Sequence, residues 1–244
     1  MTQLVLRSDA DGIATLTLNR PDKRNALNLA LWAELDAHVT AIGAARDAVG
    51  VVVLRAAGSV FCAGNDLGER GVRLPAPHYQ ANIITRLAGL PQPVIAAVNG
   101  GCFTGGLELV LAADIIIAAE SAFFADTHGK FALVPAWGMS QRLPRRVGQW
   151  WAREMSFGGL PVSGAQAARI GLANHCVADD QLDAAVTKLG RAIAGQSRHS
   201  VFAYKKLYTE QAELPLSAGL AHEVFHSAGV GPDFAARVGT QFKN

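Results

Sequence analysis

The sequence predicts an α/β protein with a partly parallel, covered sheet. Three observations carry that expectation. Short apolar runs such as "GVVVLRA" and "PVIAAVNG" recur between segments whose apolar residues fall at helical spacing, the β-then-α alternation of parallel sheets. The chain of 244 residues is 50% hydrophobic and only 17% charged, which suits one sizeable core and disfavours disorder. After about residue 190 the strand signals stop, and only helical segments remain.

Taken in order, "LVLRS" and "IATLTLNR" read as two strands joined at Asp11-Gly12, a strong hairpin signal. "NLALWAELDAHVTAIGAA" has helical periodicity, and Asn28 stands as its N-cap. "GVVVLRA" and "PVIAAVNG" are short buried strands, "LELVLAAD" a helix, and "DIIIAAESAFFA" one or two strands. "SVFAYKKLYTEQAE", "LSAGLAHEVFHSAG" and "PDFAARVGTQ" read as terminal helices. A boundary near 190 divides a core, residues 1–190, from a helical segment, residues 191–244.

Composition argues against several function classes. The formal charge is +2 and Lys and Arg form no long run, so nothing supports nucleic-acid binding. Cys62, Cys102 and Cys176 are scattered and lack CxxC spacing, which suits a reduced, cytoplasmic-type compartment. No basic and apolar leader opens the chain, and polar residues or glycine interrupt every apolar stretch before membrane-spanning length.

Three glycine-rich spots follow strands: "FCAGNDL", "NGGCFTGGLELVLAAD" and "PAWGMS". In the second, Gly105 and Gly106 open a helix, where unpaired N–H groups and close backbone approach suit a ligand oxygen. Glu108 lies one turn on, on the same side. The same residues also fit plain helix–sheet packing with a surface carboxylate at a helix N-terminus. "HEVFH", His222 to His226, satisfies the HExxH pattern of zinc hydrolases. The chain after His226 holds no His, Glu or Cys, and Asp233 is the sole third-ligand candidate, so no metal site is expected. His38, His78, His175 and His199 have no ligand-like spacing.

In combination the motifs say more. "LTLNRPDKRNALN", "FCAGNDL", "GGCFTGGLELVLAADIIIA" and "PAWGMSQRLPRRVG", in this order, resemble the crotonase (enoyl-CoA hydratase/isomerase) family over essentially the whole chain. The resemblance implies a spiral of ββα units followed by a C-terminal helical trimerisation segment, assembled as a homotrimer or a dimer of trimers. It implies an acyl-CoA thioester substrate and no further cofactor, coenzyme A being part of the substrate. The backbone N–H groups of Asn65 and Gly105 would form an oxyanion hole for the thioester oxygen. CoA would lie along Arg24, Ala26, Ala63, Asp66 and Leu67, with Phe234 and Arg237 reaching a neighbouring subunit's CoA. The segment from Gly68 to Leu90 is expected to line the acyl pocket.

Glu108 matches the first of two family glutamates that hold and activate water. The second position falls on His128, where the family pattern has a carboxylate. An imidazole can donate or accept a proton near neutrality, or His128 can simply hydrogen-bond within its loop. Asp126 is a further candidate in a different loop register. The implied activity is enoyl-CoA hydration, with isomerisation or another crotonase-type reaction as the alternative. A non-catalytic acyl-CoA-binding protein is a reading of a different class.

Overall fold

The computed structural model describes residues 3–69 and 71–241, so Arg70 and the extreme ends of the two expected segments, residues 1–2 and 242–244, lie outside it. Strands β1 (Val5–Ala10) and β2 (Ile13–Leu18) form the expected hairpin, paired antiparallel from Val5↔Leu18 to Ala10↔Ile13. Its turn residues, Asp11 and Gly12, both have positive φ (52° and 76°), the geometry that tight two-residue hairpins need. Helix α1 (Leu29–Ala44) starts where the Asn28 side chain accepts the Leu31 N–H. Its buried face, Leu31, Trp32, Leu35, Val39 and Ile42, repeats at helical spacing.

From here the chain winds as a spiral. Each turn supplies a strand to one sheet, a short strand to a second, then a helix. The first turn is β3 (Val51–Ala56), β4 (Val60–Cys62) and α2 (Tyr79–Ala88). The second is β5 (Val94–Val98), β6 (Gly101–Phe103) and α3 (Gly105–Val110). The third is β7 (Ile115–Ala119), β8 (Phe123–Ala125) and α4 (Met139–Gly158), the last broken at Gly148. Then come β9 (Val162–Ser163), α5 (Gly164–Arg169), β10 (His175–Val177) and α6 (Leu182–Ala194). Helices α7 (Arg198–Gln211), α8 (Leu216–His226) and α9 (Phe234–Gln241) follow.

Among the described residues the strands form a sheet of order β1-β2-β3-β5-β7-β10, parallel from β2 onward, and a smaller one of order β4-β6-β8-β9. Strands β3 and β5 are apolar and buried nearly throughout because helices or the second sheet cover both faces. Each such Val, Leu or Ile contributes roughly 1.5–3 kcal/mol on burial. The step from one sheet to the other demands tight corners. At Gly100 (φ 64°) an added Cβ would sit 1.9 Å from the Ser59 carbonyl oxygen, so only glycine fits.

The structure refines the expectations in three places. "DIIIAAESAFFA" divides into β7 and β8, which belong to different sheets. "LELVLAAD" is helical only as far as Val110, because the chain must turn at once into β7. Strands β9 and β10, of two and three residues, carry too little pattern to be read from sequence. Helices α7 and α8 bury no residue fully, while Leu216, Val224, Phe225 and Phe234 remain exposed in the single chain. Among the described residues no helix is long and apolar enough to cross a membrane.

Candidate active site

The residues singled out at the start of α3 converge on one cavity of about 230 Å³, lined by Asn65, Thr104, Gly105, Glu108, His128 and Trp137 among others. Ala63 and Leu67 also line it. Its geometry begins with Thr104, a non-glycine residue at φ 47°, ψ −106°. Three contacts hold that strained backbone. The Thr104 N–H donates to the Ala125 carbonyl at 2.9 Å, its hydroxyl meets that of Thr127, and its Oγ1 accepts the Thr127 N–H at 3.2 Å. They tie the ends of β6 and β8 together and aim the first turn of α3 into the cavity.

Close packing then brings two backbone amides side by side. A Cβ added at Gly105 would lie 2.5 Å from the Trp137 ring and 3.3 Å from the Asn65 nitrogen. One at Gly106 would lie 2.6 Å from the Cys62 Cβ, so α3 can rest on β4 only through glycine. Asn65 pairs with Leu27 in an isolated parallel bridge: Leu27 N–H donates to Gly64 O (2.8 Å) and Asp66 N–H to Leu27 O (3.0 Å). In such a bridge the flanking residues use their polar groups, so Asn65's own N–H points the other way. Neither the Asn65 nor the Gly105 N–H donates to a backbone carbonyl among the described residues.

Glu108 is 1% exposed, which rules out the surface-carboxylate alternative. Its Oε1 accepts the N–H groups of Trp137 (2.8 Å) and Met139 (3.1 Å), stapling α3 to the start of α4. Burial pushes its carboxyl above the ordinary range; the Met139 and Trp137 N–H groups and the His128 imidazole pull back without cancelling that push. The other oxygen, Oε2, lies 3.7 Å from His128 Nε2.

His128 opens a 3-10 turn, His128–Phe131, and is buried. Its Nδ1 stands 2.6 Å from Asp126 Oδ1, and its backbone N–H donates to the same oxygen at 3.2 Å. Asp126 and His128 are therefore not rivals for one place: Asp126 backs the imidazole, and the imidazole faces Glu108. Burial acts to raise the Asp126 carboxyl, but the hydrogen bonds from His128 and the Ser156 hydroxyl outweigh it and hold the group below its ordinary range.

The residues expected along CoA gather beside this cavity, with two exceptions. The Arg24 carbonyl (φ 51°) accepts the Ala63 N–H at 2.9 Å, and the Ala26 carbonyl accepts the Arg20 guanidinium at 3.0 Å. The same guanidinium binds the Asp66 carboxylate at 2.6 Å, and that hydrogen bond holds Asp66 below its ordinary range. Phe234 and Arg237 do not line the cavity; Arg237 binds Asp233 and the Gly195 carbonyl (3.0 Å).

Two features were not anticipated. Trp137 covers Gly105, packs edge-on against Trp32 (centroids 5.3 Å apart) and supplies an N–H to Glu108. Its only trace in the sequence is a large aromatic inside the glycine-rich "PAWGMS". The cavity wall beyond Glu108 comes from Phe131, Leu133, Val134 and Ala136 rather than from Gly68 to Leu90. Within the Gly68 to Leu90 segment, α2 turns Ile83, Ile84 and Leu87 inward and packs on α1.

"HEVFH" is occupied otherwise. The rings of His222 and His226 stack 4.1 Å apart, His222 Nε2 meets Glu210 at 3.0 Å, and Asp233 binds Ser197 and Arg237. Among the described residues no three His, Cys, Asp or Glu side chains group as metal ligands would.

Known proteins share this architecture. The enoyl-CoA hydratase/isomerase family profile matches residues 8–229. The mitochondrial methylglutaconyl-CoA hydratase of Mus musculus is 34% identical over 227 residues, covering 89% of this chain and 72% of that protein. The mitochondrial enoyl-CoA hydratase domain-containing protein 2 of Bos taurus is 35% identical over 221 residues, covering 87% and 75%. The crystal structure of an enoyl-CoA hydratase from Bacillus anthracis superposes with a TM-score of 0.92 at 33% identity, covering 98% of this chain and 96% of that one. With the spiral of ββα turns and the carboxylate beside two backbone amides, these matches place the chain in the enoyl-CoA hydratase/isomerase family, as an acyl-CoA-processing enzyme of the hydratase type.

Proposed function

We propose that this protein adds water reversibly to a 2-enoyl-CoA, with Asn65 and Gly105 as the oxyanion hole and Glu108 and His128 as the proton-handling pair. The observation that carries this is the convergence of two N–H groups, both unspent on backbone carbonyls, with a buried carboxylate and imidazole 3.7 Å apart. As water attacks the β-carbon, the double-bond electrons shift toward the thioester oxygen. Fixed amide donors need no reorganisation to receive that charge, and losing one costs on the order of 3 kcal/mol. The heads of Glu108 and His128 are close enough to touch one water: at ~2.8 Å from each it would subtend an angle of roughly 80°.

Arg24, Ala26, Ala63, Asp66 and Leu67 line the path we assign to the CoA moiety. No cofactor beyond the CoA of the substrate enters this scheme. The exposed apolar residues of α7 to α9 support the residue 191–244 segment as an oligomerisation element, in a trimer or a dimer of trimers that would bring Phe234 and Arg237 to a neighbour's CoA. A cytoplasmic location belongs to the same reading, supported by three scattered cysteines without a disulfide.

A panel of CoA thioesters and the matching free acids, scored for binding by calorimetry and for turnover, tests the function. Thioesters should bind far more tightly than the free acids, and a short 2-enoyl-CoA should be hydrated. Binding without turnover across the panel would establish an acyl-CoA-binding protein instead. Double-bond migration without hydration would establish an isomerase, the reading that His128 in place of a second carboxylate favours. Light scattering showing a stable monomer at working concentration would remove the oligomer.

A further inference from the structure

We propose that Asp126 is a positioning residue: it fixes His128 as the Nδ1–H tautomer and thereby presents a bare Nε2 to the space beside Glu108. This rests on the reading above that His128 handles a proton. An ionised carboxylate can only accept hydrogen bonds. The hydrogen between Asp126 Oδ1 and His128 Nδ1, 2.6 Å apart, therefore belongs to the nitrogen. The same oxygen accepts the His128 backbone N–H, so the ring and its own backbone are held by one anchor. Asp126 is 2% exposed, out of reach of competing solvent. Its ionised state is supported by the donors around it, which outweigh burial.

The consequence falls on the other nitrogen. With Nδ1 protonated, a neutral ring carries its lone pair on Nε2, 3.7 Å from Glu108 Oε2. Two bare acceptors at that distance repel, and the repulsion is relieved when Glu108 carries a proton, the state its burial favours. The three side chains then divide the work. His128 Nε2 takes a proton from water as the C–O bond forms at the β-carbon. Glu108 gives its proton to the α-carbon as the enolate collapses. Together these add one water across the double bond. The proton now on Nε2 returns to the Glu108 carboxylate, which restores the starting state. Asp126 touches no reacting atom. Without it, a neutral imidazole can carry its hydrogen on Nε2 and donate to Glu108, which leaves that nitrogen no lone pair with which to take a proton from water.

The test is 15N NMR of protein labelled at histidine, recorded where the imidazole is neutral, with the His128 signals identified by their loss in His128→Gln. Wild type should show a protonated Nδ1 and an unprotonated Nε2. Asp126→Leu, which removes the acceptor while filling much the same space, should release the proton to Nε2 and lower kcat at least ~100-fold, with KM changed less than about threefold. An Nε2–H tautomer in wild type would overturn the proposal, and does so even if Asp126→Leu fails to fold. So would an Asp126→Leu variant that keeps both the Nδ1–H signal and the wild-type kcat. His128→Ala separates the two levels. If that variant keeps its turnover, the role of His128 itself is gone. If it loses turnover while Asp126→Leu does not, only the assignment of Asp126 fails.

Discussion

The two walls of the cavity are held in different ways. Glu108 stands on a helix whose start is set by backbone geometry, and backbone N–H groups grip its carboxylate. His128 stands on a short 3-10 turn and is gripped through a side chain, Asp126. One wall is gripped by main-chain N–H groups, which can be lost only by moving the backbone. The other depends on one carboxylate. Precision in the first comes from the fold, and in the second from sequence. The second wall is therefore where substitution can retune the chemistry without disturbing the scaffold.

The largest effect should come from breaking the first wall's chemistry while leaving its grip. Glu108→Gln keeps an oxygen for the Trp137 and Met139 N–H groups but loses the exchangeable proton. Turnover should fall at least ~100-fold with CoA-thioester binding nearly intact. An unchanged turnover number would take Glu108 out of the mechanism.

The second wall is probed next. His128→Ala should lower turnover by about 100-fold or somewhat less, and His128→Glu should recover much of it by supplying a second carboxylate. If His128→Ala leaves turnover alone, the comparison collapses to a one-residue site on α3. Combining Glu108→Gln with His128→Ala sharpens it: two groups that act as a pair should show a combined loss far smaller than the product of the single losses.

The smallest effects are on stability, and they have opposite signs. Glu108 has its folded-state pKa raised by burial, so the stability tied to it is full below its unfolded pKa and is lost as pH rises through the folded one. At neutral pH Glu108→Gln should therefore melt higher than wild type. Asp126 has its folded-state pKa lowered, so its contribution is present above the unfolded pKa and lost as pH falls through the folded one. Asp126→Asn should flatten the acid limb of a Tm-against-pH curve. The reverse pattern would mean that the two walls had been assigned the wrong electrostatics.

The same contrast explains what the sequence disclosed. The Asp11-Gly12 turn, the Asn28 cap and the glycines opening α3 follow local rules, and each stands in the structure as read. Glu108 could be picked out by its spacing from Gly105, but its burial could not, because its two N–H partners lie 29 and 31 residues away. The pairing of Asp126 with His128 joins residues two apart, yet it depends on a turn that no periodicity announces. Arg20 binds Asp66 across 46 residues, and nothing local marks it. The cavity wall at Phe131 to Ala136 was missed because it is the end of a short 3-10 turn followed by irregular chain, where side-chain direction follows from tertiary packing alone.

The contact of Gly106 with Cys62 has a consequence for reactivity. Burial pushes the Cys62 thiol up to about 12 and raises Cys102 well above its usual range, and both are enclosed. The thiolate is the nucleophile, so neither sulfur should react with an alkylating reagent while the spiral is closed. Cys176, half-buried at the edge of the large sheet, is the more accessible thiol among the three. Labelling at Cys62 or Cys102 would then time the opening of β4 and β6 and report how often the floor beneath the Asn65 and Gly105 amides comes apart.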